Sequence, residues 1–414
     1  MLSPRVEEFA RQTATAVRLG DLYRWGQGDA HVRMQFARFL HREIAIRNAQ
    51  LCKELRVLPF GLAGTTGVSE VIRGFSAYVD CMAECPVPET SKDDEPFMRL
   101  LGEILEDRVQ VVAALGRGVT EMRDAMGEER YEGIRAEVDH ILDRFFIKRI
   151  GLRFLLQHYI EAARHEPGAS GIIHSDVAVG RILRREAQEA MRICRETYGA
   201  SPDVIVIGDG QHPGDGGFST SVHGNPDLSY DRQFTYVPVH LEFSCAVLLQ
   251  SACFAVAQRH VRQRRAEAVA APQIDGGACA SASPPGPAAA RSIQHEEMPP
   301  VQAIFAYGEE EVAIRISDEG GGIPSSQQHL VWSYFVSGPR GSGAFAEDGA
   351  EGWRRSSFFE LSAEGAGLPL ARLHARYYGG DLMLKSVEGF GTDVHMFLNR
   401  LGHNCERLPQ GVRI

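Results

Sequence analysis

The sequence lacks three features that would assign it to a common functional class. Its eight cysteines include no CxxC pair, which favours reduced thiols over a zinc site or a disulfide framework. No apolar run approaches the length of a membrane-spanning helix, so no transmembrane segment is predicted. The formal net charge of −10 lacks the basic excess of a nucleic-acid-binding protein, so no nucleic-acid partner is expected. The chain has 414 residues, of which 44% are hydrophobic, and this is enough for two globular domains.

The first part of the chain, residues 1–165, has the apolar spacing of long amphipathic helices. Apolar residues recur at intervals of three and four over residues 36–46, 97–122 and 134–159. Segments that contain proline or glycine separate these stretches, as expected between helices. Several helices joined by short turns predict a helical bundle.

The N-terminal segment fits two interpretations. Arginines in a stretch with Ser, Thr and Ala are typical of an organellar transit peptide, but Glu7, Glu8 and Asp21 are not. A first helix explains the same residues, and the sequence leaves both interpretations open.

After residue 165 the pattern changes to short strands and intervening helices. This mixture predicts an α+β fold class, in which a helical bundle precedes a sheet that helices cover on one face. Strands are predicted at residues 203–208, 301–306, 311–317, 381–385 and 392–397, and helices at residues 178–198, 241–262 and 368–378.

One segment of the second part, residues 263–300, is rich in Ala, Pro, Gly and Ser. This composition cannot bury enough apolar surface to fold, so we predict a disordered, low-complexity insertion between a helix and a hairpin.

Three glycine motifs in the second part indicate nucleotide chemistry. Asp318 directly follows a predicted strand and precedes glycines 320–322, and its carboxylate can accept a hydrogen bond from the amino group of adenine. Residues 365–367 (GAG) open a predicted helix, whose unpaired N–H groups can bind phosphate. Thr392, after the turn at residues 389–391, offers a hydroxyl to the base. Taken singly, the first motif also fits a surface loop and the second a helix cap.

The order of these motifs resembles the Bergerat nucleotide pocket, which histidine kinases, one class of heat-shock chaperones, MutL and type II topoisomerases share. Further segments resemble one branch, the mitochondrial pyruvate and branched-chain 2-oxoacid dehydrogenase kinases. A bacterial-type histidine kinase does not fit, since no phospho-acceptor histidine lies in a dimerisation helix ahead of the pocket. The matching segments are residues 39–49 (FLHREIAIRNA), 145–149 (FFIKR), 200–203 (ASPD), 236–241 (YVPVHL), 367–382 (GLPLARLHARYYGGDL) and 406–409 (ERLP).

The resemblance implies an architecture, an activity and partners. Residues 1–165 would be a helical bundle that docks E2 lipoyl domains, residues 166–404 a Bergerat (GHKL) α/β sandwich that binds ATP and Mg²⁺, and residues 405–414 a short tail. The implied protein is a homodimeric protein-serine/threonine kinase of the mitochondrial matrix, which phosphorylates the E1 component of a 2-oxoacid dehydrogenase complex and inhibits it. The residues implied to contact the nucleotide are Asp318, Gly320, Gly322, Ser337, Gly365, Ala366, Gly367, Leu368 and Thr392.

The helix after residue 240 departs from the family at each charged catalytic position. The family carries there a glutamate that serves as base, a lysine, a Mg²⁺-binding asparagine and an arginine. Counted from His240, these four positions hold Val247, Gln250, Ser251 and Phe254. Ser251, at the position of the asparagine, retains one oxygen that Mg²⁺ could use. Elsewhere, Arg108 replaces a histidine that assists catalysis in the family.

These replacements leave two functional hypotheses. The first is an active kinase, which most of the chain implies. The second is a pseudokinase, with or without nucleotide, that docks on a dehydrogenase complex as a regulator. Losing a general base costs about 10² to 10⁴ in rate, and the nearest acids that could replace it are Glu242 and Glu364.

Overall fold

The computed structural model describes residues 2–106, 110–164, 166–208, 234–270, 298–336, 365–400 and residue 406. Within these residues, the N-terminal part is helical, and the C-terminal part combines helices with a five-stranded sheet. The predicted α+β fold class is therefore confirmed.

In the described residues, the N-terminal part contains seven α-helices, of which α3 packs against α4 and α7. Side-chain caps fix two helix starts: Asp29 accepts hydrogen bonds from the N–H groups of His31 and Val32, and Thr65 accepts one from Val68. The helices are α1 Pro4–Ala10, α2 Leu19–Gly26, α3 Ala30–Arg56, α4 Thr66–Glu84, α5 Asp94–Glu106, α6 Val111–Met126 and α7 Glu128–Ala162.

The bundle differs from the sequence prediction in two places. The single apolar stretch at residues 97–122 divides into α5 and α6, because the backbone at Gln110 leaves the helical region with ψ of 81°. Helix α4 was not predicted from the apolar spacing. At the N-terminus, α1 and α2 agree with the interpretation of that segment as helical.

The main sheet has the strand order β3-β4-β5-β7-β6, with β3 parallel to β4 and the other pairs antiparallel. Buried residues alternate along β5 and β7, so one face of the sheet lies under helices α9 and α10. The elements are the small hairpin β1 Ala169–Ser170 and β2 Ile173–His174, then α8 Val179–Tyr198, β3 Val204–Ile207, α9 Pro238–Ala270, β4 Val301–Tyr307, β5 Glu311–Asp318, α10 Gly367–Tyr377, β6 Asp381–Val387 and β7 Gly391–Asn399.

Helix α9 is longer than the predicted helix at residues 241–262. It continues to Ala270 and so includes residues 263–270 of the predicted insertion, while residues 271–297 lie outside the described part of the chain. By length and composition, Pro238–Arg264 could cross a membrane, contrary to the expectation that no apolar run is long enough. However, 61% of its most apolar window is buried inside the protein, as in the core helix of a soluble protein.

The buried apolar side chains form one cluster that spans both parts of the chain. Phe154 of α7 lies with its ring centroid 5.4 Å from that of Tyr378, just after α10. The core therefore continues across the boundary expected between residues 165 and 166. That boundary stays a prediction.

Candidate functional site

Three polar side chains form a row across the ends of strands β5, β7 and β6. The strand register pairs Asp318 with Thr392, and Thr392 with Ser386. Directly opposed residues of an antiparallel sheet point to the same face, so all three lie on the face under the helices. Asp318 and Thr392 are only 8% and 9% exposed, and the hydroxyls of Thr392 and Ser386 lie 2.9 Å apart. We call Asp318, Thr392 and Ser386 the polar row.

Ser386 is the member of this row that belongs to none of the three glycine motifs. Its hydroxyl accepts a hydrogen bond from the N–H of Ile323 at 2.7 Å, so it also holds the end of the glycine-rich loop. A signal was present in the sequence, because a hairpin centred on Gly389 places residue 386 opposite residue 392.

The glycines after Asp318 allow the loop to approach its neighbours closely. The Asp318 carboxylate accepts a hydrogen bond from the Gly320 N–H at 2.8 Å. A Cβ atom on Gly320 would lie 2.4 Å from the Cβ of Ala255 on α9. At Gly322, where φ is +68°, a Cβ atom would lie 2.0 Å from the Val387 carbonyl oxygen. These contacts account for both glycines without a ligand, and they also keep side chains away from the space beside Asp318.

Helix α9 presents one face to this loop. Ser251, Ala255 and Arg259 recur every four residues and therefore lie on one stripe of the helix. Val247 is on the same stripe, one turn before Ser251, but it is only 1% exposed. The position where the resemblance implies a catalytic acid is thus a buried apolar side chain.

The other residues of α9 that the sequence singled out are Glu242, Phe254 and Gln250. Glu242 is nine residues before Ser251, which rotates it by about 180° around the helix. Its carboxylate binds the Arg185 guanidinium on α8 at 2.8 Å, so it points away from the polar row. The Phe254 ring packs edge-on against Tyr198, with centroids 5.2 Å apart. Gln250, at the position of the family's lysine, is buried.

The second glycine motif lies at the start of α10. Gly365 has φ of +75°, and α10 begins at Gly367 with no side-chain hydrogen bond at its cap residue, Ala366. The first N–H groups of such a helix lack partners within the helix, so they can bind an anion. Leu368 is in this first turn.

Tyr334 and Phe335, which precede Ser337 in the sequence, form hydrogen bonds with the helical bundle and with the second glycine motif. The N–H of Phe335 donates to the Gly365 carbonyl at 3.3 Å. Tyr334 donates its N–H to Asp139 at 3.0 Å and its hydroxyl to Asp143 at 2.7 Å, and both acids are on α7. Burial raises the pKa of the Asp143 carboxyl, and the Tyr334 hydrogen bond partly opposes this rise.

Three residues named from the sequence lie outside the described part of the chain: Arg108, Ser337 and Glu364. Their proposed roles stay predictions. Within the described residues, no group of three or more His, Cys, Asp and Glu side chains is arranged to hold a metal ion.

Comparison with known proteins gives concordant matches over both parts of the chain. A family model described as mitochondrial branched-chain alpha-ketoacid dehydrogenase kinase matches residues 16–180. A mitochondrial [pyruvate dehydrogenase (acetyl-transferring)] kinase of Arabidopsis thaliana is 29% identical over 375 residues, covering 90% of this chain and 87% of the relative. Isozyme 4 of the same kinase from Homo sapiens is 26% identical over 424 residues, covering 99% of this chain and 87% of the relative. The Drosophila melanogaster kinase is 26% identical, covering 89% and 78%.

Proposed function

Because this chain belongs, as a divergent member, to the family of mitochondrial pyruvate and branched-chain 2-oxoacid dehydrogenase kinases, we propose that it binds ATP and acts on such a dehydrogenase complex in the mitochondrial matrix. The proposed reaction transfers the γ-phosphate of ATP to a serine of E1 and thereby inhibits the complex. The helical bundle is the proposed dock for the E2 lipoyl domain, and the proposed assembly is a homodimer.

The polar row is the observation that carries the ATP-binding proposal. An ionised carboxylate accepts hydrogen bonds, which suits the amino group of adenine, and a hydroxyl can both donate and accept. Asp318 and Thr392 supply this pair side by side, next to the glycine-rich loop at residues 320–322. The N-terminus of α10, which follows the second glycine motif, is the proposed phosphate site.

Phosphoryl transfer places a further demand on the site. The serine oxygen forms a bond to the γ-phosphorus, the bond from this phosphorus to the β–γ bridging oxygen breaks, and ADP leaves. The proton of the serine hydroxyl must pass to an acceptor. Val247 offers none, so we propose a turnover at least about a hundredfold below that of a relative with an intact acid.

The residues near the proposed Mg²⁺ position fit their proposed ligand less well than the residues near the proposed adenine position. Mg²⁺ is usually held by carboxylates together with substrate phosphates, in octahedral geometry. On the stripe of α9 that contains Val247, Ser251 and Ala255, Ser251 supplies a single hydroxyl oxygen. Ser251 is therefore the one candidate Mg²⁺ ligand on this stripe, and no carboxylate supports it there.

A second candidate function, a regulatory pseudokinase, is supported by α9. Glu242 is held by Arg185 on the opposite side of the helix from Ser251, so it is not in place to act as the base. Phe254 and Val247 contribute packing where the resemblance implies polar side chains. In this case the protein binds nucleotide and docks on a complex without transferring phosphate.

The proposed adenine contact is tested by titration calorimetry with ATP. Asp318→Ala should weaken binding by about 1.5–3 kcal/mol, because the amino group of adenine loses a charged acceptor. Asp393→Ala is a matched control. Asp393 follows Thr392 in β7, so its carboxylate lies on the opposite face of the sheet, where it binds Arg315. Equal ATP affinity of wild type and Asp318→Ala would show that the pocket is assigned wrongly.

The two candidate functions are separated by phosphate incorporation into purified E1 of the pyruvate and branched-chain complexes. Slow incorporation of phosphate supports an active kinase. If no phosphate is incorporated although the protein binds ATP, the regulatory pseudokinase is supported. Incorporation at the rate of an intact relative would refute the argument from Val247.

A further inference from the structure

Arg259 connects helix α9 to both loops beside the polar row. Its Nη1 atom donates hydrogen bonds to the carbonyl oxygen of Glu319 at 2.8 Å and to that of Phe390 at 3.0 Å. Glu319 follows Asp318 in the glycine-rich loop, and Phe390 is in the turn that leads to Thr392. One guanidinium group therefore holds the two segments that carry the proposed base contacts.

The two loops also touch through their backbones. The Gly321 N–H donates to the Phe390 carbonyl at 3.1 Å, and the Gly389 N–H donates to the Gly321 carbonyl at 2.8 Å. The Phe390 oxygen thus accepts from both Gly321 and Arg259. These backbone bonds fix the loops to one another, whereas Arg259 fixes the pair of loops to α9.

The place of Arg259 along α9 separates it from the proposed phosphate chemistry. It is two helical turns, or about 12 Å, beyond Ser251 on the same stripe. A side chain there can set how far the two loops stand from α9, beside the proposed base site. This position suits a role in placing the loops better than a charge contact with the triphosphate.

We propose that Arg259 is a positioning residue for the nucleotide base, which keeps the two loops at the distance from α9 that adenine binding needs. This inference rests on the proposed nucleotide site. Arg259 belongs to none of the glycine motifs, and its effect would come through Asp318 and Thr392. If Arg259 had a purely structural role, it would only provide hydrogen bonds to two surface carbonyl groups, and its removal would not change nucleotide binding.

The test compares ATP and adenosine binding to the full-length protein by calorimetry. Arg259→Met should weaken both ligands by the same factor, about three- to tenfold, the range for one or two exposed hydrogen bonds. Arg259→Lys should recover part of the loss, because an ammonium group can still donate to both carbonyls. Arg262→Met, which removes an exposed arginine one turn further along α9, is the matched control and should bind as wild type does.

A second measurement needs no ligand. Amide hydrogen exchange at Gly321 should be faster in Arg259→Met than in wild type, because the Phe390 carbonyl that accepts this amide loses its bond to α9, and the melting temperature should be unchanged. Unchanged affinities in Arg259→Met would overturn the inference. So would a loss confined to ATP, which would mean a direct phosphate contact, or a lowered melting temperature without rescue by lysine. If wild type bound neither ligand, the proposed nucleotide site would fail, and this inference with it.

Discussion

Replacing Arg47 by methionine should destabilise the protein more than replacing Glu406 by glutamine, although both changes break the same buried ion pair. Arg47 is only 4% exposed. Its Nε donates to Glu43 at 2.8 Å, its Nη1 donates to Glu406 at 3.2 Å, and its Nη2 donates to the Thr15 carbonyl at 2.7 Å. Glu406 also accepts a hydrogen bond from the Tyr377 hydroxyl at the end of α10. The cluster therefore joins α3, the N-terminal segment, α10 and the tail.

The difference in magnitude follows from the charges that remain. Burial lowers the pKa of Arg47, but the Glu406 and Glu43 carboxylates more than offset this and raise it above its ordinary value. Arg47→Met leaves two buried carboxylates without a cation, and breaking such a pair from one side costs about 3–5 kcal/mol. Glu406→Gln keeps the side-chain shape and leaves Glu43 to balance Arg47. Its expected cost is about 1.5–3 kcal/mol, the range for a charged hydrogen bond.

The assay is urea unfolding of the two single variants and the double variant, followed by circular dichroism. The double variant should lose less stability than the sum of the single losses, because the two side chains interact directly. Arg5→Met is the control, since Arg5 binds Asp80 and Glu84 at the exposed surface and should contribute at most about 1 kcal/mol. The reasoning is refuted if Arg47→Met costs no more than Glu406→Gln.

Three further changes test other parts of the protein. Burial lowers the pKa of His374 from 6.5 to about 4, so the unfolded chain binds this proton more readily. Unfolding measured at several pH values should show stability that is complete above pH 6.5 and falls as pH drops from 6.5 towards 4, and His374→Phe should reduce this fall by up to about 3 kcal/mol. The double change Val247→Glu with Ser251→Asn should raise the rate of E1 phosphorylation; retained ATP binding without a higher rate would mean that the site is closed at residue 247. Deletion of residues 271–297 should leave the melting temperature nearly unchanged, since the cost of closing a loop grows slowly with length, and a large drop would show that the segment packs.

The fold class and most elements of the second part were predictable from local pattern. The strands around residues 301–317 and 381–397 appear where apolar and polar residues alternate, because this alternation places one set of side chains under the helices. The division between α5 and α6 was not predictable from apolar spacing. An apolar period can continue across a helix boundary, and the sequence just before Gln110 has no proline or glycine to reveal one.

For the candidate site, the motifs located Asp318 and Thr392 because both stand beside glycines at strand ends, which is a property of neighbouring residues. Their alignment with Ser386 depends on strand register, and the orientation of Glu242 towards Arg185 depends on how α9 is rotated against α8. Arg259 shows the same limit, since its partners are 60 and 131 residues away in sequence. Local pattern fixes which residues can form a strand, a turn or a helix. Contacts between distant segments depend on how the elements pack, because a side chain's neighbours there come from other parts of the chain.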